Sequence, residues 1–119
     1  MAFLDFGPLQ EGIQRYARRA QEEAELAAAK AAVFLQDRMQ QRAREDEQWS
    51  ALADNIEVWS QDGRLVIGIH DQLLASQAFQ LEFGDETTPP SPLFRTMGPD
   101  QEAAQGIMNQ SFAQGMTNW

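Results

Sequence analysis

The sequence predicts an α+β domain, with a long N-terminal helix packed on a small antiparallel sheet and two or three C-terminal helices. Three observations carry this. From Pro8 to Arg44, apolar and alanine residues recur at spacings of three and four. From Asn55 to Ile69 the period falls to two on either side of Asp62-Gly63, the strongest short signal for a hairpin. Beyond a proline-rich break at residues 89–92, helical spacing returns. At 119 residues the chain is long enough for one domain with a modest core, read as an arm (1–7), a long helix (8–44) and an α+β body (45–119).

The arm carries Phe3, Leu4 and Phe6, more apolar surface than a solvated tail needs, which suits docking on a neighbouring subunit. Pro8 fits a first helical turn. Ile13, Ala17, Ala20, Ala24, Ala27, Ala31 and Phe34 then share one helix face. That seam is mostly alanine, which buries little area but lets another backbone approach closely. Arg15, Arg19 and Glu23, and Arg18 with Glu22, stand four apart where weak surface pairs form. Trp49, Leu52, Ala53 and Ile56 make a short apolar stripe after the charged run at 42–48. In the hairpin, Ile56, Val58 and Ser60 share one face of the first strand with Glu57 and Trp59 on the other, and Leu65, Ile67 and Ile69 share one face of the second with Val66 and Gly68 on the other. Asp71 is a suitable N-cap for a helix whose apolar face is Leu73, Leu74, Ala75, Ala78, Phe79 and Phe83. Pro99 and Asp100 suit the first turn of a last helix bearing Ala103, Ala104, Ile107, Met108, Phe112 and Met116, with Gly106 and Gly115 weakening it. The terminal Trp119 is a candidate docking anchor.

The stretch from Ala78 to Met97 organises the rest. Gly84 follows Phe83 where a helix needs a positive-φ stop. The acidic turn Asp85 to Thr88 is expected to be solvated. Pro89, Pro90 and Pro92 fix their own φ and push each preceding residue to extended geometry, forming a strap. Leu93, Phe94 and Met97 then return apolar side chains to a fixed place relative to Leu81 and Phe83. Ala78-Phe79, Leu81-Glu82-Phe83-Gly84 and Pro90-Ser91-Pro92-Leu93-Phe94-Arg95 resemble the signature of a bacteriophage family, the tail-completion, neck or minor tail proteins of long-tailed phages. The chain departs from that pattern at Thr96-Met97-Gly98-Pro99, where members often continue through another proline into a long unbroken helix. The resemblance implies a virion subunit assembled in the host cytoplasm. It would form a ring, six copies in the family, bridging head connector or stopper to tail terminator. It also favours an architectural Glu82–Arg95 pair across the strap. Phe3, Phe6, Glu82, Phe83, Gly84, Pro90, Pro92, Phe94, Arg95 and Trp119 are thus the interface and structural candidates.

Chemistry and charge set the remaining expectations. Cysteine is absent, which excludes disulfides and thiolate metal sites. His70 is the only histidine, and its neighbour Asp71 would face the other way along a strand, so no catalytic pair forms. The acidic runs at 45–47 and 85–86 lack the spacing of a calcium loop and read as solvated faces. No enzyme, cofactor or metal is expected. No apolar run spans a membrane, and the first nine residues lack a signal-peptide pattern.

Net charge is −9. Residues 1–44 hold seven Lys/Arg and six Asp/Glu, whereas residues 45–119 hold two Arg and twelve acids. Such a chain is expected not to hold nucleic acid specifically, although DNA may slide past an acidic channel wall. Arg15, Arg18, Arg19, Arg38, Arg42 and Arg44 are the only basic cluster available. A small adaptor or chaperone-like protein, binding a partner helix through the alanine face, is the competing reading.

Overall fold

A computed structural model describes residues 7–118. Phe3, Phe6, the rest of the arm before Gly7, and Trp119 lie outside the described residues. The order is a long helix α1 (Gly7–Arg44), a 3-10 turn (Ser50–Asn55), strands β1 (Glu57–Gln61) and β2 (Arg64–Gly68), helix α2 (Gln72–Phe83), a second 3-10 turn (Phe94–Thr96) and helix α3 (Gly98–Thr117). This is the predicted α+β arrangement. The break at Met97 is real, because α3 starts anew with Pro99 in its first turn.

Along α1 the buried row is Ala27, Ala31, Leu35, Met39 and Ala43, flanked by Ala28 and Ala32. These stand four apart, so they form one ridge along the helix. Small side chains on that ridge let α3 lie close: Ala104 is fully buried there, and the α1–α3 contact is the most extensive in the fold. The pair is antiparallel. Arg42 Nη1 meets Asp100 Oδ2 at 3.1 Å near the start of α3, and Arg38 Nε approaches Oδ1 at 3.9 Å. Near the other end, Arg19 pairs with Glu23 at 2.8 Å and reaches the Gly115 carbonyl at 3.5 Å. A Cβ at Gly115 would run into the buried Glu23 carboxylate, so this glycine, expected only to weaken α3, makes room for a helix contact.

The expected seam is therefore correct at Ala27 and Ala31, half-buried at Ala20, Ala24 and Phe34, and wrong at Ile13 and Ala17. Ile13 is 59% exposed and Ala17 is exposed too. Helix α3 meets Arg19 and Glu23 at Gly115 and ends two residues later at Thr117, so among the described residues little of it extends over the turns before Arg19.

Asp62 and Gly63 both take positive φ, 53° and 75°, which makes the two-residue type I′ turn that matches strand twist. Register follows, with Val58 opposite Ile67 and Ser60 opposite Leu65. The β1 edge that faces α1 is closed by two glutamines one helical turn apart. Gln40 Nε2 donates to the Ile56 carbonyl and Gln36 Oε1 accepts from the Val58 amide, both at 2.9 Å. Together they take two of the hydrogen bonds a third strand would make.

Trp49, Leu52, Ala53 and Ile56 are buried as the stripe predicted, closing one core with Leu35, Met39, Val58, Ala78, Leu93 and Ala104. Asp71 caps α2 as expected, its Oδ1 accepting from Leu74 N at 3.0 Å. The apolar set assigned to α2 is inward at Ala78 and half-buried at Leu74 and Ala75, but Leu73, Phe79 and Phe83 are 70%, 64% and 53% exposed, and Glu82 is buried instead. A carboxylate has taken the inward place that the hydrophobic pattern gave to aromatics.

Truncation separates the ridge from the exposed face of α1. Leu35→Ala should lower stability by about 2–5 kcal/mol. Val33→Ala, at an exposed position, should stay within about 0.5 kcal/mol. Chemical denaturation of the two variants checks this pair.

Candidate assembly site

The strap leaves α2 at Gly84, whose amide closes the helix on the Gln80 carbonyl at 2.7 Å. Gly84 sits at φ 73°, ψ −177°. A Cβ there would lie 2.7 Å from the Thr88 carbonyl oxygen and 2.8 Å from Pro90 N. Positive φ and crowding by backbone therefore both require glycine. Asp85 folds the acidic turn that follows. Its Oδ1 accepts from the amides of Thr87 at 2.8 Å and Thr88 at 2.7 Å, while its own amide donates to the Thr88 carbonyl. Those backbone bonds, Thr87 first, hold the Asp85 carboxyl below the usual range. The turn is solvated, as expected, yet internally ordered.

Ser91 is pinned on both sides. Its amide donates to the Leu81 carbonyl at 2.7 Å, and its carbonyl accepts from the indole of buried Trp49 at 2.7 Å. The strap then turns under Glu82. Glu82 Oε2 accepts from Leu93 N at 2.7 Å and Phe94 N at 3.1 Å, while Oε1 accepts from Arg95 N at 2.9 Å. Three amides that open a 3-10 turn have no partner of their own, and one carboxylate satisfies them all. The Arg95 guanidinium completes the clasp. Nε donates to Glu82 Oε1 at 3.2 Å, Nη2 donates to the Glu82 carbonyl at the end of α2, and the group lies 4.9 Å from the centre of the Phe83 ring.

The expected Glu82–Arg95 bond is present, but its character differs from a surface pair. Glu82 is only 4% exposed. Burial alone raises its pKa, and the bonds from Leu93, Arg95 and Phe94, with the Arg95 side chain, outweigh that and hold it below the ordinary value. The charged form is the one the fold needs. The far end of the second 3-10 turn is also held, by Arg42 to the Thr96 carbonyl at 3.1 Å and to the Thr96 hydroxyl.

The candidates are thus sorted. Gly84, Glu82 and Arg95 converge on the clasp, whereas Pro90 and Pro92 are exposed along the strap. Phe94 is half-buried, not a full core residue, and meets Trp49 edge-on with ring centres 5.3 Å apart. Leu93 is the strap residue that enters the core. Phe83 and Phe79 point outward, rings 4.8 Å apart, beside a groove of about 200 Å³ that Ile67, Ile69, Ala78 and Phe94 also line. The Trp49–Ser91 bond was not foreseen, nor was the Asp85 turn, although an aspartate two and three residues before threonines is a known turn former.

His70 stands exposed after β2, stacked on Trp59 at 4.5 Å, with Nε2 2.9 Å from Glu57 Oε2. Among the described residues no three His, Asp or Glu side chains come together as a metal site, and no helix is long and apolar enough to cross a membrane. A scan of known protein families finds no match, and neither the curated proteins nor the solved structures searched contain one. The clasp and its aromatic rim therefore stand on geometry alone.

Glu82→Gln should cost about 2–4 kcal/mol, because one amide oxygen cannot serve three donors and the new NH2 group faces them. A carboxyl with a depressed folded-state pKa contributes stability that is complete above its unfolded pKa and lost as pH falls through its folded one. The wild type should therefore weaken on acidification by more than Glu82→Gln does, as read from denaturation midpoints across acid pH. Gly84→Val should destabilise by about 2 kcal/mol or more. Phe94→Ala should cost less than the about 3–5 kcal/mol of a fully buried phenylalanine.

Proposed function

We propose that this chain is a structural ring subunit of a phage neck, completing the tail and joining it to the head connector. The observation that carries the reading is the clasp. The very residues that resemble the tail-completion signature form one cooperative unit, in which Glu82, Gly84 and Arg95 hold the strap in place. The clasp contains no reactive group poised for chemistry. It shapes a surface, setting Phe79, Phe83, Pro90 and Pro92 outward where neighbouring subunits dock.

The partners in this reading are copies of the chain itself, in a closed ring of six, with the connector or stopper ring above and the terminator below. Charge supports a passive relation to DNA. Arg19, Arg38, Arg42 and Arg44 already stand beside Glu23, Asp100 and Asp54, so acids partly neutralise four of the six arginines in the basic cluster. The adaptor alternative needs an open alanine face; Ala27, Ala28, Ala31 and Ala32 are covered within the chain, whereas Ile13 and Ala17 are exposed, so that reading is confined to the first turns of α1.

Locating the chain in a cryo-electron-microscopy map of a whole virion tests the proposal. A rotationally symmetric ring between head and tail is expected, and isolated single copies without symmetry would overturn it. Titrating labelled duplex DNA at two salt concentrations tests the passive wall. Binding should be weak and should fall steeply with salt. Submicromolar, salt-resistant binding would contradict it.

A further inference from the structure

We infer that the outer edge of β2 is a strand-addition site for the N-terminal segment Ala2–Phe6 of a second copy. The partner's identity as a second copy rests on the ring reading above, but the site itself rests on the hairpin. In a hairpin closed by a two-residue I′ turn, the residues flanking the turn pair through hydrogen bonds, and alternate residues direct their backbone groups outward. Outward on the β1 side are Ile56, Val58 and Ser60, and Gln40 and Gln36 of α1 bond to the first two. Outward on β2 are Leu65 and Ile67. Among the described residues, nothing hydrogen-bonds to the backbone of either. The same sheet thus has one edge partly taken by side chains and one left open.

The open edge is bordered by two hollows, one mainly apolar and one mixed, and the only charged residue on β2 is Arg64 at its turn end. Ile67 lines two grooves. One, of about 260 Å³, runs towards Leu35, Met97 and Met108. The other, of about 200 Å³, runs towards Phe79, Phe83 and Phe94. An extended segment laid along β2 gains backbone hydrogen bonds, while every second side chain drops into these hollows.

Ala2-Phe3-Leu4-Asp5-Phe6 fits that demand: in extended form Leu4 and Phe6 share a face, and none of its residues is proline. Its own β2 is out of reach. Gly63, at the turn end of β2, borders a cavity with Gln21, and Leu65 and Ile67 border one with Leu35, 14 and 28 residues along α1 from Gly7, or about 21 and 42 Å at about 1.5 Å per residue. Six extended residues span only about 20 Å. The segment of another copy carries no such restriction, and arm-to-edge pairing is head-to-tail, the geometry that closes into rings.

The test uses the isotope-labelled full chain and a synthetic peptide of residues 1–7, observed by NMR and by amide exchange. Peptide binding should shift and protect the Leu65 and Ile67 amides. Two peptide variants, N-methylated at residues 2, 4 and 6 or at 3 and 5, should behave differently. One set should bind about tenfold or more weakly, since it removes the donors facing β2, and the other should bind nearly as the parent. No binding, or equal loss with both sets, overturns strand addition. Native mass spectrometry of the full chain separates this site from the wider reading. Self-association with a silent peptide sinks the edge site alone. Peptide binding by a chain found as single copies in virions sinks the ring reading alone.

Discussion

The carboxylate of Glu82 is the constraint on which the rest of the structure depends. It emerges from the last turn of α2, is buried, and receives the amides of Leu93, Phe94 and Arg95. A buried charge is tolerable only when its lone pairs are filled, and here charge-assisted bonds fill them from a stretch of backbone that otherwise has no partner. That single group fixes where the strap returns. Leu93 can then enter the core against Trp49 and Ala78, and α3 can start in position to lie along the alanine ridge of α1. The prolines reinforce this by limiting how the strap can relax, and Gly84 permits the bend that starts it.

Placing a carboxylate inward has a consequence for the surface. With Glu82 facing the strap, its neighbours on α2 turn away from the core, and Phe79 and Phe83 are left exposed. Arg95 covers part of the Phe83 ring, so this surface is arranged rather than merely unburied. An aromatic rim beside an open strand edge is an exposed apolar surface of the kind that marks interaction sites.

Much of the fold was legible in the sequence because it rests on local signals. The Asp-Gly turn, the Asp71 cap, the Trp49–Ile56 stripe and the proline restart each specify geometry within a few residues. The misreadings share one cause. The inward faces of α1 and α2 depend on what lies against them, and periodicity alone cannot say where α3 ends or that a carboxylate will be met by three amides. Gln36 and Gln40 were equally silent, since polar residues four apart on a helix read as solvated until a strand is placed beside them. In the clasp, the pairing of Glu82 with Arg95 was legible, whereas its burial and its backbone partners became visible only with the strap folded.

Amide hydrogen exchange at residues 93–95 tests the central claim most directly. If the Glu82 carboxylate organises the strap, the amides of Leu93, Phe94 and Arg95 exchange near neutral pH as slowly as those in the middle of α1, opening only with the whole fold. Exchange at the rate of the solvated Asp85–Thr88 turn, with α1 still protected, would show that the clasp opens on its own and would contradict the account.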